Sequence, residues 1–233
     1  MPPPPANSID RINVYNEKHL HAALKAWYTR PGDRLEVAID GYIIDIVRDN
    51  LLIEVQTAGF SSLKHKLACL LPRHPVRLVY PIPQEKWLVK RHGSGQTSRR
   101  KSPQRGSIYR LFSELVSFPH LPALPNFSLE ILLTQEEEIR RHEAGRRWRR
   151  GGWVTEERRL LQVVGQQRFN TPAELAALLP ANLPTPFTTA DLASALGQPR
   201  RLAQQMAYCL RELALILPAG KQGNAISYVI PEP

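Results

Sequence analysis

Cysteine and long apolar segments are both scarce in this chain of 233 residues. The two cysteines, Cys69 and Cys209, are far apart in apolar surroundings, which favours buried thiols in a reducing compartment over a disulfide framework or a zinc site. No apolar run of about eighteen residues is present, so we expect no transmembrane span. The N-terminal MPPPPANS lacks the apolar centre of a signal peptide. We therefore expect a cytoplasmic protein with no membrane association.

Acidic residues are the minority among the charged side chains. The chain has 31 Lys and Arg against 21 Asp and Glu, a net charge of +10. Such an excess favours a polyanionic partner, most simply DNA or another nucleic acid, although a basic protein without such a partner has the same composition. Hydrophobic residues make up 42% of the chain, which is enough for a folded core and excludes global disorder.

The order of predicted elements indicates a mixed α/β core followed by a smaller helical part. A helix over 14–28, three strands within 33–57, a helix over 60–71 and a strand over 76–82 give the order α-β-β-β-α-β. We expect four segments: a disordered Pro-rich tail at 1–13, a core domain at 14–135, a basic linker at 136–153 and a C-terminal domain at 154–233.

The C-terminal part has the pattern of a helix-turn-helix followed by a hairpin. Residues 154–167 are predicted as an amphipathic helix and 171–180 as a short helix with Thr171 as its cap. Residues 187–216 predict two helices joined by a Gly-containing turn, and 217–230 predict a β-hairpin. This order resembles a winged helix.

Three acidic residues, Glu36, Asp45 and Glu54, are evenly spaced along the three predicted strands. An Asp-Gly and an Asp-Asn dipeptide separate the strands, and two-residue turns there place 36 opposite 45 and 45 opposite 54. Opposed side chains share a face, so the acids are predicted to form one row with Gln56 beyond Glu54. Like charges in such a row repel, which predicts a bound divalent cation with oxygen ligands.

The segment from about residue 14 to 90 resembles the PD-(D/E)XK nuclease superfamily, in particular its Holliday-junction-resolvase and restriction-endonuclease-like branch. The resemblance rests on Ile44-Asp45, on Glu54-Val55-Gln56, on Glu17 in the first helix and on the α-β-β-β-α-β order. It implies a restriction-endonuclease-like core that hydrolyses DNA phosphodiester bonds with Mg²⁺ or Mn²⁺. The metal ligands that it implies are Glu17, Asp45 and Glu54, with the carbonyl of Val55 as a further donor. Glu36 either joins them or only ends the row.

Gln56 stands where the superfamily usually has a lysine that orients or activates the attacking water. Glutamine cannot supply a positive charge, so a lysine on the next helix, Lys64 or Lys66, is the candidate replacement. We prefer Lys64, because it lies one turn after Phe60 and away from the apolar face of that helix. The predicted catalytic residues are Asp45, Glu54, Gln56 and Lys64.

Basic clusters flank this core and are the predicted contacts to nucleic acid, because arginines beside aromatic residues suit phosphate contacts and base stacking. One cluster comprises Arg99, Arg100, Lys101 and Arg105, and a second comprises Arg146, Arg147, Arg149 and Arg150 beside Trp148. On the winged-helix-like part the predicted contacts are Arg200, Arg201, Gln204 and Lys221. Each cluster has an alternative interpretation as a solvated surface.

Three functions are compatible with these patterns. The first is a Mg²⁺-dependent deoxyribonuclease, which could act as a homodimer. The second is a catalytically inactive nuclease-fold protein that only binds nucleic acid, consistent with Gln56. The third is an adaptor whose winged helix recruits a protein.

Overall fold

The computed structural model describes residues 19–57, 59–93, 95–143 and 152–231. Its N-terminal part has the predicted order of elements. Helix α1 covers residues 19–28, and Phe60–Leu63 form a 3₁₀ turn before helix α2. The strands and the second helix are β1 (Arg34–Ile39), β2 (Tyr42–Arg48), β3 (Leu51–Val55), α2 (Lys64–Leu70) and β4 (Val76–Arg91).

The chain continues with a short strand, a short helix and two long strands. These are β5 (Thr97–Lys101), α3 (Leu111–Leu115), β6 (Phe127–His142) and β7 (Trp153–Phe169). The sheet has the strand order β1-β2-β3-β4-β6-β7, and β5 pairs with the second half of β4. Strand β4 runs parallel to β3 and β6, whereas the other pairs are antiparallel. The sheet is therefore mixed, and the predicted α/β class is confirmed.

The prediction of a helix over 154–167 is wrong, because this segment belongs to β7. Leu160 and Val163 have helical spacing and pack on the same side of the sheet. They do so because Gln162 and Leu160 pair with successive residues of β6, which leaves Leu161 as an extra bulged residue. The bulge therefore places two residues that are three positions apart on the same face of a strand, a spacing that otherwise indicates a helix.

The predicted linker at 136–153 is also corrected in part. Residues 136–142 are the second half of β6, and β6 pairs with β7 from Leu129↔Phe169 to His142↔Trp153. The predicted boundary between 153 and 154 therefore falls inside β7, in a continuous antiparallel pair.

The C-terminal part consists of short elements and a second, small sheet. They are α4 (Pro172–Ala176), β8 (Phe187–Thr188), α5 (Thr189–Leu196), α6 (Arg200–Glu212), β9 (Leu217–Gln222) and β10 (Ala225–Val229). The small sheet has the order β8-β10-β9, and Gly197 adopts the left-handed conformation in the turn between α5 and α6. No described helix has both the length and the apolar character needed to cross a bilayer.

Two apolar clusters cover the two faces of the large sheet. Leu20 and Leu24 of α1 pack with Ile46, Ile53 and other residues on one face. The larger cluster, on the other face, contains apolar residues of α2, α3, α5 and α6. Cys209 of α6 is buried in this cluster, as predicted, whereas Cys69 on α2 is exposed, contrary to the prediction.

Candidate functional site

The predicted strand register is confirmed. Ile39 pairs with Tyr42 across the first turn, and Arg48 pairs with Leu51 across the second. Asp40 and Asp49 both have positive φ values, of 48° and 53°, as tight hairpin turns require. Turn chemistry and strand alternation therefore fixed the pairing of β1, β2 and β3 correctly.

Asp45 faces α1, although regular alternation would turn it toward α2. Its Oδ2 atom lies 3.0 Å from Nε2 of His21 on α1. The adjacent Ile46 packs on the same face, so the alternation of faces breaks between these two residues. The break coincides with Glu36 of β1, the residue in register with Asp45, which has a φ of 53°. Both strands are thus irregular at the same level.

Glu54 faces α2, on the opposite side of the sheet. Its neighbours Ile53 and Val55 both pack against α1, so the side chain between them points the other way. There Oε1 of Glu54 lies 2.5 Å from Nζ of Lys66, which also donates to the carbonyl of Ile43 at 2.7 Å. The prediction that the three acids share one face is therefore wrong at Glu54.

Asp45 and Glu54 both lie just beyond the point where β2 and β3 stop pairing, since the ladder ends at the pair Ile46↔Ile53 and leaves a gap between the strands. The backbone N–H of Val55 donates to Oδ2 of Asp45 at 2.9 Å. The backbone of Asp45 also lies near enough to the Glu54 carboxylate to act on its pKa. Asp45 thus offers its carboxylate to the backbone of β3 at the point where regular pairing stops. We call Asp45 and Glu54 at this gap the carboxylate pair.

Burial and charge have different effects on the pKa values of Asp45, His21 and Glu54. Burial of Asp45 opposes its ionisation, but hydrogen bonds from His21 and Val55 outweigh it and lower the pKa of Asp45. The same hydrogen bond to Asp45 raises the pKa of His21 against the effect of burial. Burial raises the pKa of Glu54 despite the ammonium group of Lys66, and the charge of Asp45 raises it further. The pair therefore places an ionised carboxylate beside one that resists ionisation.

The donor set limits the kind of metal that fits. Within the described ranges, no group of three or more His, Cys, Asp or Glu side chains is arranged to hold a metal ion. Asp45 and Glu54 supply two carboxylates, and Mg²⁺ is commonly bound by one or two protein carboxylates together with water and substrate phosphates. Two carboxylates are the number that such a partly open site uses, and they are too few for a metal enclosed by protein ligands alone.

The other predicted residues of this site fall elsewhere. Nζ of Lys64 lies 5.8 Å from the centre of the Phe118 ring, so the preference for Lys64 is corrected in favour of Lys66. Gln56 donates to the carbonyl of Gly59 and to the hydroxyl of Ser62. Glu36 pairs with Lys25 of α1 at 2.5 Å. Glu17 lies outside the described residues.

His21 is the contact that sequence reasoning missed. Its position in an amphipathic helix resembles that of the neighbouring surface residues, and no local motif marks it. Only the packing of α1 on the sheet brings it to Asp45, 24 residues later in the chain.

The first basic cluster is partly neutralised. Arg99 pairs with Glu137 at 2.8 Å and Lys101 with Glu85 at 2.5 Å. Arg100 and Arg105 are exposed and take part in no ion pair within the described part of the chain. Glutamates of β6 and β4, distant in sequence, thus balance half of this cluster. The second cluster, Arg146, Arg147, Arg149 and Arg150, lies outside the described residues.

The predicted contacts on the C-terminal part are all exposed. Arg200, Arg201 and Gln204 are exposed on the first two turns of α6, and Lys221 is exposed on β9. Arg200 and Gln204 line a cavity of about 280 Å³ together with Asn224 at the tip of the β9–β10 hairpin. The structure therefore brings the start of α6 and the hairpin together.

Fold and site together define a mixed α/β protein with a carboxylate pair at a gap between two strands. The chain belongs to the family described as a domain of unknown function, DUF8091, whose model matches residues 18–170. This match ends one residue after β7, so it covers the large sheet and stops before α4.

A relative of similar length matches most of the chain. The chain is 33% identical over 220 residues to an uncharacterised protein of Treponema pallidum (strain Nichols), covering 93% of this chain and 86% of the relative. No solved structure matches the chain.

Proposed function

We propose that this protein is a metal-dependent nuclease that hydrolyses DNA phosphodiester bonds at the carboxylate pair. The observation that carries the proposal is the pair itself: Asp45 and Glu54 at the gap between β2 and β3, with Lys66 on Glu54. The order α-β-β-β-α-β and the mixed sheet support a core of the PD-(D/E)XK type.

Asp45 and Glu54 would hold Mg²⁺ or Mn²⁺ across the gap, with the carbonyl of Val55 as a further donor. When bound, such an ion stabilises charge on phosphodiester oxygens and makes a water nucleophilic at neutral pH. The hydrogen bond from His21 fixes the orientation of the Asp45 carboxylate. Lys66 supplies the positive charge that glutamine at position 56 cannot. The buried walls of Ile53 and Val55 limit access of bulk water and so strengthen these interactions.

The C-terminal part would position DNA. Its order α4-β8-α5-α6-β9-β10, with β8 paired to β10, supports a winged-helix-like domain. The exposed Arg200, Arg201 and Gln204 at the start of α6 and Lys221 on β9 suit phosphate and base contacts.

The proposal is tested by incubating the full-length protein with plasmid, branched and single-stranded DNA in Mg²⁺ or Mn²⁺. Asp45→Asn and Glu54→Gln are expected to lower cleavage by at least about 100-fold, because each removes a charged oxygen ligand. Glu36→Gln, which removes only an exposed pair with Lys25, is the control and is expected to keep wild-type cleavage. Cleavage that persists in the Asp45 and Glu54 variants would assign the activity to a contaminant.

A second candidate is a nucleic-acid-binding protein without catalysis. The observation that favours it is Gln56, whose amide is bound to Gly59 and Ser62 instead of facing the carboxylate pair. Salt-dependent DNA binding with no cleavage in any divalent ion is the result expected from this candidate.

A further inference from the structure

A cavity of about 310 Å³ lies far from the carboxylate pair, between the second half of β4 and the loop of residues 102–110. Leu78 of β4 pairs with Glu54, and Lys86, which lines the cavity, is eight residues further along the same strand. At about 3.3 Å per residue, Lys86 in the cavity is roughly 26 Å along the strand from Leu78, the residue beside Glu54. The cavity is therefore a separate site.

Strand pairing collects charged side chains on the floor of this cavity. Leu88 of β4 pairs with Arg100 of β5 on one side and with Glu138 of β6 on the other. Directly paired residues share a face, and so do residues two positions away along each strand, which adds Lys86 and Arg140. Four charged groups thus surround one leucine.

The cavity holds more positive charge than its own acid neutralises. Glu138 accepts from Lys86 at 3.0 Å and from Arg140 at 2.7 Å. Arg100 and Arg110 also line the cavity, are exposed, and take part in no ion pair among the described residues. Four cationic groups against one carboxylate leave an excess of three positive charges.

The loop that forms the wall is fixed to β4 by its backbone. The N–H of Ser102 donates to the carbonyl of Lys86 at 2.7 Å, and the N–H of Gly106 donates to the carbonyl of Pro83 at 3.1 Å. A Cβ atom at position 106 would lie 2.2 Å from that Pro83 oxygen, so only glycine permits this approach. The distance between the wall and the cationic floor is therefore set by close packing.

We propose that this cavity binds a phosphate ester, with Arg100 and Arg110 as its main contacts. Guanidinium groups match phosphate oxygens in paired, charge-assisted hydrogen bonds, and two of them face the cavity without a protein carboxylate. The volume is at the lower end of that of small-molecule sites, which suits one nucleotide. The phosphate ester is borne either by a DNA strand or by a free mononucleotide. The proposal does not depend on cleavage at the carboxylate pair.

The test compares single variants of the full-length protein in EDTA, where metal-dependent cleavage cannot occur. Arg100→Gln and Arg110→Gln are compared with Arg34→Gln, an exposed arginine of β1 that does not line the cavity. The probes are a fluorescein-labelled single-stranded DNA 20-mer, followed by anisotropy, and AMP, followed by titration calorimetry. Circular dichroism is expected to show unchanged folding, because both cavity arginines are exposed and unpaired within the described chain.

We expect Arg100→Gln and Arg110→Gln each to weaken binding of one probe by at least about tenfold, as for loss of a charged hydrogen bond. Arg34→Gln is expected to stay within about twofold. Weaker binding of the 20-mer alone identifies a DNA strand as the source of the phosphate ester. Weaker binding of AMP identifies a mononucleotide as the source. Equal losses in all three variants, or wild-type protein that binds neither probe, would overturn the proposal.

Discussion

At the scale of single residues, long-range pairs decide which charged side chains are structural and which are exposed to solvent. Lys66 and Lys64 are two positions apart on one helix, yet only Lys66 reaches a buried carboxylate, that of Glu54. Lys64 instead lies over the ring of Phe118. The sequence limited the choice to these two lysines, but the rotation of α2 against β3 decided between them.

The first prediction concerns this lysine pair. Lys66→Met is expected to lower the free energy of unfolding by about 3 kcal/mol, because Glu54 remains buried without its cation. Lys64→Met is the matched control, with an expected change below about 0.5 kcal/mol. Urea denaturation at pH 7 measures both. Similar losses in the two variants would show that the Lys66–Glu54 contact is not formed in solution.

The second prediction concerns Glu138 and acid. Burial opposes ionisation of Glu138, but the charge of Lys86 and hydrogen bonds from Arg140 and Thr155 outweigh it and lower the pKa of Glu138 to about 2. A lowered pKa means that the ionised carboxylate stabilises the fold above its ordinary pKa of 4.5. This contribution is lost progressively as the pH falls from there toward 2.

Glu138→Gln is therefore expected to cost roughly 3 kcal/mol at pH 7, and this difference from wild type should shrink below about pH 4.5. Urea midpoints from pH 7 to pH 3 measure the difference. Glu137→Gln, which removes a pair with the half-exposed Arg99, is the control, with an expected loss below about 1 kcal/mol. A difference for Glu138→Gln that stays constant with pH would contradict the lowered pKa.

At the scale of elements, local patterns were reliable where they depend on neighbours in sequence. The two turns fixed the register of β1, β2 and β3, and Thr188 caps α5 through a complete capping box with Asp191, a contact between near neighbours. The apolar spacing of β7 led to the wrong prediction of a helix, because a bulge at Leu161 changes the spacing of the residues that share a face of this strand. A bulge depends on the partner strand, and the sequence of β7 alone does not contain that information.

The third prediction concerns the cap of α5. Thr188→Ala is expected to lower the free energy of unfolding by about 1–2 kcal/mol, since its hydroxyl accepts from the N–H groups of Ala190 and Asp191. Thr189→Ala, one residue later, removes no capping bond and is expected to change stability by less than about 0.5 kcal/mol. Thermal unfolding followed by circular dichroism measures both. Equal effects would show that the cap contributes little.

At the scale of the whole molecule, the larger apolar cluster joins the sheet to the C-terminal helices. Met206 and Leu210 of α6 are buried together with Leu111 and Phe112 of α3, and Sγ of Cys209 lies 3.8 Å from the carbonyl of Phe112. A boundary that crosses such a shared core does not separate independent folding units. The large sheet and the C-terminal elements are therefore expected to unfold together.

The fourth prediction follows from the two cysteines. In a Cys69→Ser variant, Cys209 is the remaining thiol, and its burial in α6 protects it from maleimide reagents. Its labelling is expected to begin at the same urea concentration at which tryptophan fluorescence changes, because Trp27, Trp87 and Trp153 report on α1 and the sheet. Labelling at a clearly lower urea concentration would show that the C-terminal part unfolds on its own.

The sequence by itself determined the α/β class and the register of the first three strands. Both follow from turn residues and from apolar periodicity, which act between near neighbours. Only the tertiary structure decided that Asp45 turns to His21, that Glu54 pairs with Lys66, and that Glu137 of β6 neutralises Arg99 of the basic cluster. These contacts join residues that are between 12 and 38 positions apart in the chain, so they depend on how helices and strands pack together.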